Sequence, residues 1–225
     1  FTRSISQSNH TKMKILNLYA CLGGNRFLWH DEHEITAVEL DPELARLYSE
    51  RFPNDTVIVA DAHQYLLDHY KEYDFIWTSP PCPSHSRARF WGHGQTKPIY
   101  PGMELYQEIL FLEHHFKGKY VVENVIPYYE PLIKAQKRGR HLYWTNFKLP
   151  FIINCREIKV GQGAREFQSL CDFHMIDLND YKGAQNKTKI ARNLVDFESG
   201  LDILETAMGI IKKENVNQLD IAFDD

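Results

Sequence analysis

The sequence has no apolar run near the roughly 20 residues that a membrane helix needs, and no signal peptide is visible at its start. Cysteine is scarce: four in 225 residues, at positions 21, 82, 155 and 171, without framework spacing. That excludes a disulfide-stapled scaffold and predicts free thiols in a reducing, cytoplasmic setting. An excess of positive charge is also missing. The net charge is −4 and the isoelectric point near 6.3, which excludes a chain wrapped on all sides by nucleic acid but leaves room for a local basic face. Internal repeats and low-complexity tracts are absent. So is the G-x-G-x-x-G turn of nicotinamide and flavin enzymes: the corresponding turn reads ACLGGN.

What is present suits one packed domain, with 43% hydrophobic and 25% charged residues. Residues 1–12 are polar and aperiodic and read as a tail or expression remnant ahead of a start at Met13. Short apolar strands are expected at 14–20, 34–40, 56–60, 73–79, 119–125 and 141–147. Helical patterns lie between them: after Gly24, from Pro42, from Ala62, over 102–116 and over 127–137. This alternation predicts an α/β fold with a doubly wound, mostly parallel sheet. The rhythm breaks after 148, and a last helix is expected over 198–214. The resulting division is 13–147 for the main domain, 148–190 for a small irregular region, and 191–225 for a helix that completes the domain.

Ligands of such sheets sit beyond the carboxyl ends of the strands. Those ends carry Tyr19, Gly23 and Gly24, then Glu39, then Asp61. Glycines permit close backbone approach, an acid after the second strand suits ribose hydroxyls, and an Asp after the third could accept from an adenine amino group. Tyr19 offers a stacking face. A cofactor without pyrophosphate fits best, and S-adenosylmethionine is the obvious one.

The fourth strand leads into TSPPCPSHSRARFW, residues 78–91. Prolines stiffen the loop that carries Cys82. A thiolate is the reactive form, and positive charge from Arg87 and Arg89 would favour it. For an isolated cysteine, inert burial is the default. What overturns it is the company: Glu123-Asn124-Val125 at the end of the next strand, and Gln136-Lys137-Arg138-Gly139-Arg140 before the one after.

In this order, and on these elements, the sequence resembles the DNA cytosine-5 methyltransferase family from residue 14 to about 147. The resemblance implies a Rossmann-like class I methyltransferase fold, S-adenosylmethionine as methyl donor, and DNA, double-stranded, as partner. It implies Cys82 as nucleophile on cytosine C6, Glu123 as the acid at N3 and Arg140 holding the base at O2, with Arg138 a further catalytic residue of the same signature. It places Tyr19, Gly23, Gly24, Glu39, Asp61 and Pro80 at the cofactor, with Asn193 of RNLV as the late cofactor motif. Pro81, Ser86, Arg87, Arg89, Asn124 and Gln136 would meet substrate, and the loop from Pro83 to about Pro101, with His85, Phe90, Trp91 and Lys97, would close over a base turned out of its stack.

Asn17, Cys21 and Pro83 depart from the family pattern, and the 148–190 window is too short for an independent recognition core. A compact, phage-like member in a bacterial cytoplasm is therefore expected. Its recognition would be loose, or shared with a second subunit or in a homodimer. Ser79-Pro80-Pro81 also begins the loop of amino-methyltransferases, but Cys82 fills the aromatic slot of that loop. An RNA cytosine-5 methyltransferase would share the same catalytic groups, and a non-catalytic binding subunit would share the fold. Cys155, Cys171 and His174 lack a fourth ligand and regular spacing, so no metal site is expected.

Overall fold

The computed structural model describes residues 12–87, 99–150, 156, 158 and 163–210. Seven strands form one sheet: β1 (Lys14–Leu18), β2 (Glu34–Glu39), β3 (Thr56–Val59), β4 (Phe75–Thr78), β5 (Lys119–Val125), β6 (Gln136–Arg138) and β7 (His141–Thr145), in the order β3-β2-β1-β4-β5-β7-β6. The five strands from β3 to β5 run parallel, and β7 and β6 turn back antiparallel at the far edge. The order reverses between β1 and β4, where the loops after both strands part and open a crevice.

Period-two alternation assigns the helices to faces. Leu16, Leu18, Val38, Ile76 and Val122 pack with Leu66 of α2 (Ala62–His69) and Leu105, Ile109 and Leu112 of α3 (Glu104–His115). Their neighbours Ile15, Ile35, Phe75 and Val121 face the other way, onto Ile203 and Leu204 of α6 (Phe197–Ala207). Ala37, on that second face, packs on Tyr48 of α1 (Pro42–Arg51). The doubly wound, mostly parallel sheet expected from the alternation is what forms. No helix among the described residues is long and apolar enough to cross a membrane.

Three local expectations are corrected. The segment after Gly24 is a series of turns, not a helix: Trp29 N–H bonds the Arg26 carbonyl at 2.9 Å, three residues back, and Asn25 spends its amide on Asn17 at 2.8 Å. Arg26, 2% exposed, is held by Asp55 and Asp31 and by the Trp29 carbonyl, which fixes a compact loop. Residues 127–135 do not form a helix either. Their backbone groups are taken by core side chains: Trp144 Nε1 donates to the Ile133 carbonyl at 2.9 Å, and Leu132 N–H donates to the Tyr106 hydroxyl at 3.3 Å. The last helix stops at Ala207 because Gly209 adopts φ +75° and its N–H returns to the Thr206 carbonyl, a left-handed helix stop.

Within the 148–190 window lie α4 (Glu166–His174) and the start of α5 (Lys187–Arg192). Leu170, Leu178 and Tyr181 from the window, with Ile190 and Leu194, join Leu22 and Leu44 in one apolar cluster. The described part of the window is therefore packed onto the main domain. Glu166, 2% exposed, fixes α5 through two 2.6 Å bonds from Arg192.

Candidate active site

The crevice at the strand-order reversal is a cavity of about 670 Å³. One end is built by the loops after β1, β2 and β3. Tyr19 and Cys21 both sit in the left-handed backbone region, at φ +55° and +48°; this is costly for non-glycine residues and persists only where surroundings hold it. The restraints are visible. Cys21 N–H donates to Glu39 Oε2 at 2.8 Å, and Asp41 N–H to Glu39 Oε1 at 3.0 Å, so one carboxylate ties the β1 turn to the β2 turn. Each Glu39 oxygen keeps further acceptor capacity toward the cavity that it lines. Burial pushes its carboxyl above the usual range, against three backbone N–H groups that favour the ionised form.

The Tyr19 ring lines the cavity while its hydroxyl donates to Glu108 Oε1 at 2.6 Å. Glu108, wholly buried on α3, also accepts from Thr78 Oγ1 at 2.6 Å and meets His63 Nδ1 at 3.1 Å. Asp61 caps α2 through Gln64 N–H at 2.8 Å and lines the same end. Asp41, the cap of α1, lines it too, accepting from Tyr181 at 2.8 Å and Gln185 at 2.9 Å. Asn193 borders the cavity just after α5.

The other end is built by the loop after β4 and by β5. Pro80, Pro81 and Cys82 line it, with Glu123 and Asn124. Asn124, 2% exposed, donates from Nδ2 to the Pro80 carbonyl at 2.9 Å and accepts Val125 N–H on Oδ1, so the end of β5 clamps the proline loop. Beyond the thiol the chain turns tightly, with the N–H groups of His85 and Ser86 both on the Cys82 carbonyl at 3.0 Å. Burial first, and the Glu123 carboxylate second, push the Cys82 thiol above its ordinary value; Lys189 of α5 pulls it down.

Of the two arginines expected to activate the thiol, Arg87 donates instead to the Pro127 carbonyl at 3.1 Å, and among the described residues the cation that lowers the thiol is Lys189. Arg89, Phe90, Trp91 and Lys97 of the expected lid lie outside the described residues. His85 is buried, its Nδ1 2.5 Å from the Tyr129 hydroxyl.

Nine expected site residues thus border one cavity: Tyr19, Glu39, Asp61, Pro80, Pro81, Cys82, Glu123, Asn124 and Asn193. Others lie elsewhere. A β-carbon on Gly23 would fall 2.5 Å from the Phe52 ring, and one on Gly24 2.4 Å from the Val195 carbonyl, so the close approach they allow is to protein. Ser86 bridges to Pro127. Gln136 donates to Thr145 and to the Phe147 carbonyl, and accepts Leu149 N–H. Arg138 holds the carbonyls of Pro150 and Leu149 at 2.5 and 2.9 Å. Arg140 is exposed at the β6–β7 turn, with one 3.4 Å bond to the Ile158 carbonyl. Among the lining residues that the sequence reading did not place at the site are Lys189, and His141, whose Nε2 lies 3.6 Å from Glu123 Oε1. No set of three potential metal ligands gathers among the described residues; Cys155 lies outside them.

Comparison with known proteins bears on this cavity. A family model for C-5 cytosine-specific DNA methylases matches residues 13–125, half of the chain. No curated protein matches. Among solved structures, the methyltransferase EhMeth of Entamoeba histolytica aligns with 90% of this chain and 99% of its own at 9% identity and a TM-score of 0.51, a likeness of fold. A DNMT2 mutant of Spodoptera frugiperda aligns with 50% of this chain and 35% of its own (22% identity, TM-score 0.36). A SAM-dependent methyltransferase of Agrobacterium tumefaciens aligns with 52% of this chain and 40% of its own (18% identity, TM-score 0.37). The chain thus spans well under half the length of the last two.

Proposed function

Since the chain belongs to the C-5 cytosine-specific DNA methylase family, with its Rossmann-like fold and S-adenosylmethionine as cofactor, we propose that it methylates C5 of a cytosine in a nucleic acid through a covalent bond from Cys82 to C6. The observation that supports this reading best is that Cys82 and Glu123 line one cavity with the acidic ends of β2 and β3. A nucleophile, an acid and a cofactor cradle then share a single space.

The cofactor supplies an electrophilic methyl group on a sulfonium. At its end of the cavity, Tyr19 would stack on the adenine, Glu39 would take the ribose hydroxyls and Asp61 the adenine amino group, with Asn193 also bordering the cavity. At the other end, Cys82 adds as thiolate to C6 while the Glu123 carboxyl gives its proton to N3, which turns C5 into an enamine carbon able to attack. Loss of the C5 proton to a base, cleavage of the S–C6 bond and return of the N3 proton to Glu123 restore the aromatic ring. The family pattern assigns O2 to Arg140; on the exposed β6–β7 turn it stands outside the cavity lining and would have to move to reach a base there. Burial first, and the neighbouring Glu123 carboxylate second, disfavour the Cys82 thiolate, so engagement of Glu123 with N3 would favour the nucleophile.

The base must leave its stack to reach this cavity. DNA is the substrate that the family's description names. RNA is a second reading, favoured by the packing of α4 and α5 into the main domain. No separate recognition body is present among the described residues, and RNA loops offer bases that are already unstacked. The test is incubation with labelled S-adenosylmethionine and 5-fluorocytosine-containing DNA or RNA. A labelled covalent adduct that disappears in Cys82→Ser and survives Cys171→Ser is the expected result, and the nucleic acid that forms it identifies the substrate. If neither nucleic acid forms an adduct, the reading is wrong.

A further inference from the structure

The antiparallel return of β7 places Val125 opposite His141 and Glu123 opposite Tyr143. Glu123 and His141 are therefore diagonal neighbours on one face of the sheet, where side chains of this length meet. His141 Nε2 comes within 3.6 Å of Glu123 Oε1, the carboxylate being 8% and the imidazole 27% exposed. Both line the cavity that holds Cys82. Neighbouring polar side chains of β5 and β6 are committed: Asn124 is spent on Pro80 and Val125, Arg138 on the Pro150 and Leu149 carbonyls, and Gln136 on Thr145, Phe147 and Leu149, while Lys189 of α5 faces the thiol.

A carboxyl group that must face N3 of a base needs its rotamer fixed, because a displacement of about 1 Å at such a group costs on the order of 100-fold in rate. Among the described residues, the side chain within reach of the Glu123 carboxyl in the ion-pair range is that of His141.

We propose that His141 is the positioning residue of Glu123. It holds the carboxyl toward the base edge by the ion-pair approach of its Nε2, 3.6 Å from Oε1. The proposal rests on the methyl-transfer reading above and deepens it. No new covalent step is added.

The test compares His141→Ala, His141→Gln and the wild type in two assays: binding of S-adenosylhomocysteine, and the rate of adduct formation with the 5-fluorocytosine oligonucleotide that traps the wild type. His141→Ala is expected to bind the cofactor product within twofold of wild type and to form the adduct about 100-fold more slowly. His141→Gln, which keeps a donor near the same place, is expected to recover at least tenfold of that loss. The pH dependence of the adduct rate should change shape in both variants. A wild-type rate in His141→Ala, or a glutamine variant as slow as alanine with cofactor binding intact, overturns the proposal while leaving methyl transfer standing. If His141→Ala loses cofactor binding as well, the residue is structural and the proposal fails. If the wild type traps no oligonucleotide, the methyl-transfer reading falls, and this proposal with it.

Discussion

Tyr19 and Glu108 stand 89 positions apart in the chain and share a 2.6 Å hydrogen bond beneath the cavity floor. The bond fixes the ring of a tyrosine held at φ +55°, and it links the turn after β1 to α3. Thr78 and His63 bring β4 and α2 to the same carboxylate.

Replacing Glu108 by leucine leaves the buried Thr78 hydroxyl and the half-buried Tyr19 hydroxyl without their acceptor, at a cost of about 1–3 kcal/mol for the buried one. The variant should melt earlier and bind S-adenosylhomocysteine at least tenfold more weakly, whereas Tyr19→Phe, which keeps the ring, should lose less than Tyr19→Ala. Isothermal titration and thermal melts measure both. Unchanged cofactor affinity in Glu108→Leu would show that the network has no hold on Tyr19.

Cys82 is influenced in opposite senses by two neighbours, Glu123 raising and Lys189 lowering its thiol. Glu123→Gln should therefore speed alkylation of Cys82 by iodoacetamide at pH 8, and Lys189→Met should slow it. Cys21, whose thiol burial pushes up to about 12, serves as the slow internal reference. Peptide mass spectrometry reads each site separately. Equal rates in all three proteins would mean that neither charge reaches the sulfur.

Asn124 reaches the proline loop through one 2.9 Å bond to the Pro80 carbonyl. Asn124→Ala should cost about 1–3 kcal/mol of stability and slow adduct formation more than it weakens cofactor binding, because it releases the loop that carries Cys82. Adduct kinetics that track the wild type would remove the clamp from the catalytic account.

His174 is 4% exposed, and burial pushes it down to about 4. Its neutral form is what the fold holds, so its contribution to stability is complete above the ordinary histidine value of about 6.5 and is lost as pH falls toward 4. Between pH 7.5 and 5 the wild type should lose about 2 kcal/mol through this residue. In His174→Leu the urea-unfolding free energy should depend less on pH over that window. Parallel pH slopes for the two proteins would contradict it.

The parallel strands and their acidic edge were legible because each of those strands is a short apolar run and an acid stands at or just after the ends of β2 and β3, so Glu39 and Asp61 needed only that rule. Cys82 needed the distant Glu123-Asn124 and Gln136–Arg140 motifs as well. Glu108 was hidden because on a helix it looks like one polar residue among apolar ones, and its three partners come from three other elements. His141 was hidden for a related reason: its meeting with Glu123 depends on the antiparallel register of β5 and β7, which no local pattern encodes. The helix expected over 127–137 failed because Pro127 is a fair helix start in isolation, while Tyr106 and Trp144 supply the backbone bonds from a distance. Gln136 and Arg138 carry the spacing of a substrate motif, yet their hydrogen bonds close the chain between 147 and 150.

The turn after β1 has one more dependence. Gly24 fits against the Val195 carbonyl, Gly200 against Asn25, and Trp29 donates to the Gly200 carbonyl at 3.1 Å across 171 positions. Closing so wide a loop is a late and entropically costly event in folding. On the ribosome, the five parallel strands can pair before the residues around 200 emerge, but the wall behind the β1 turn is completed only when α6 docks against it.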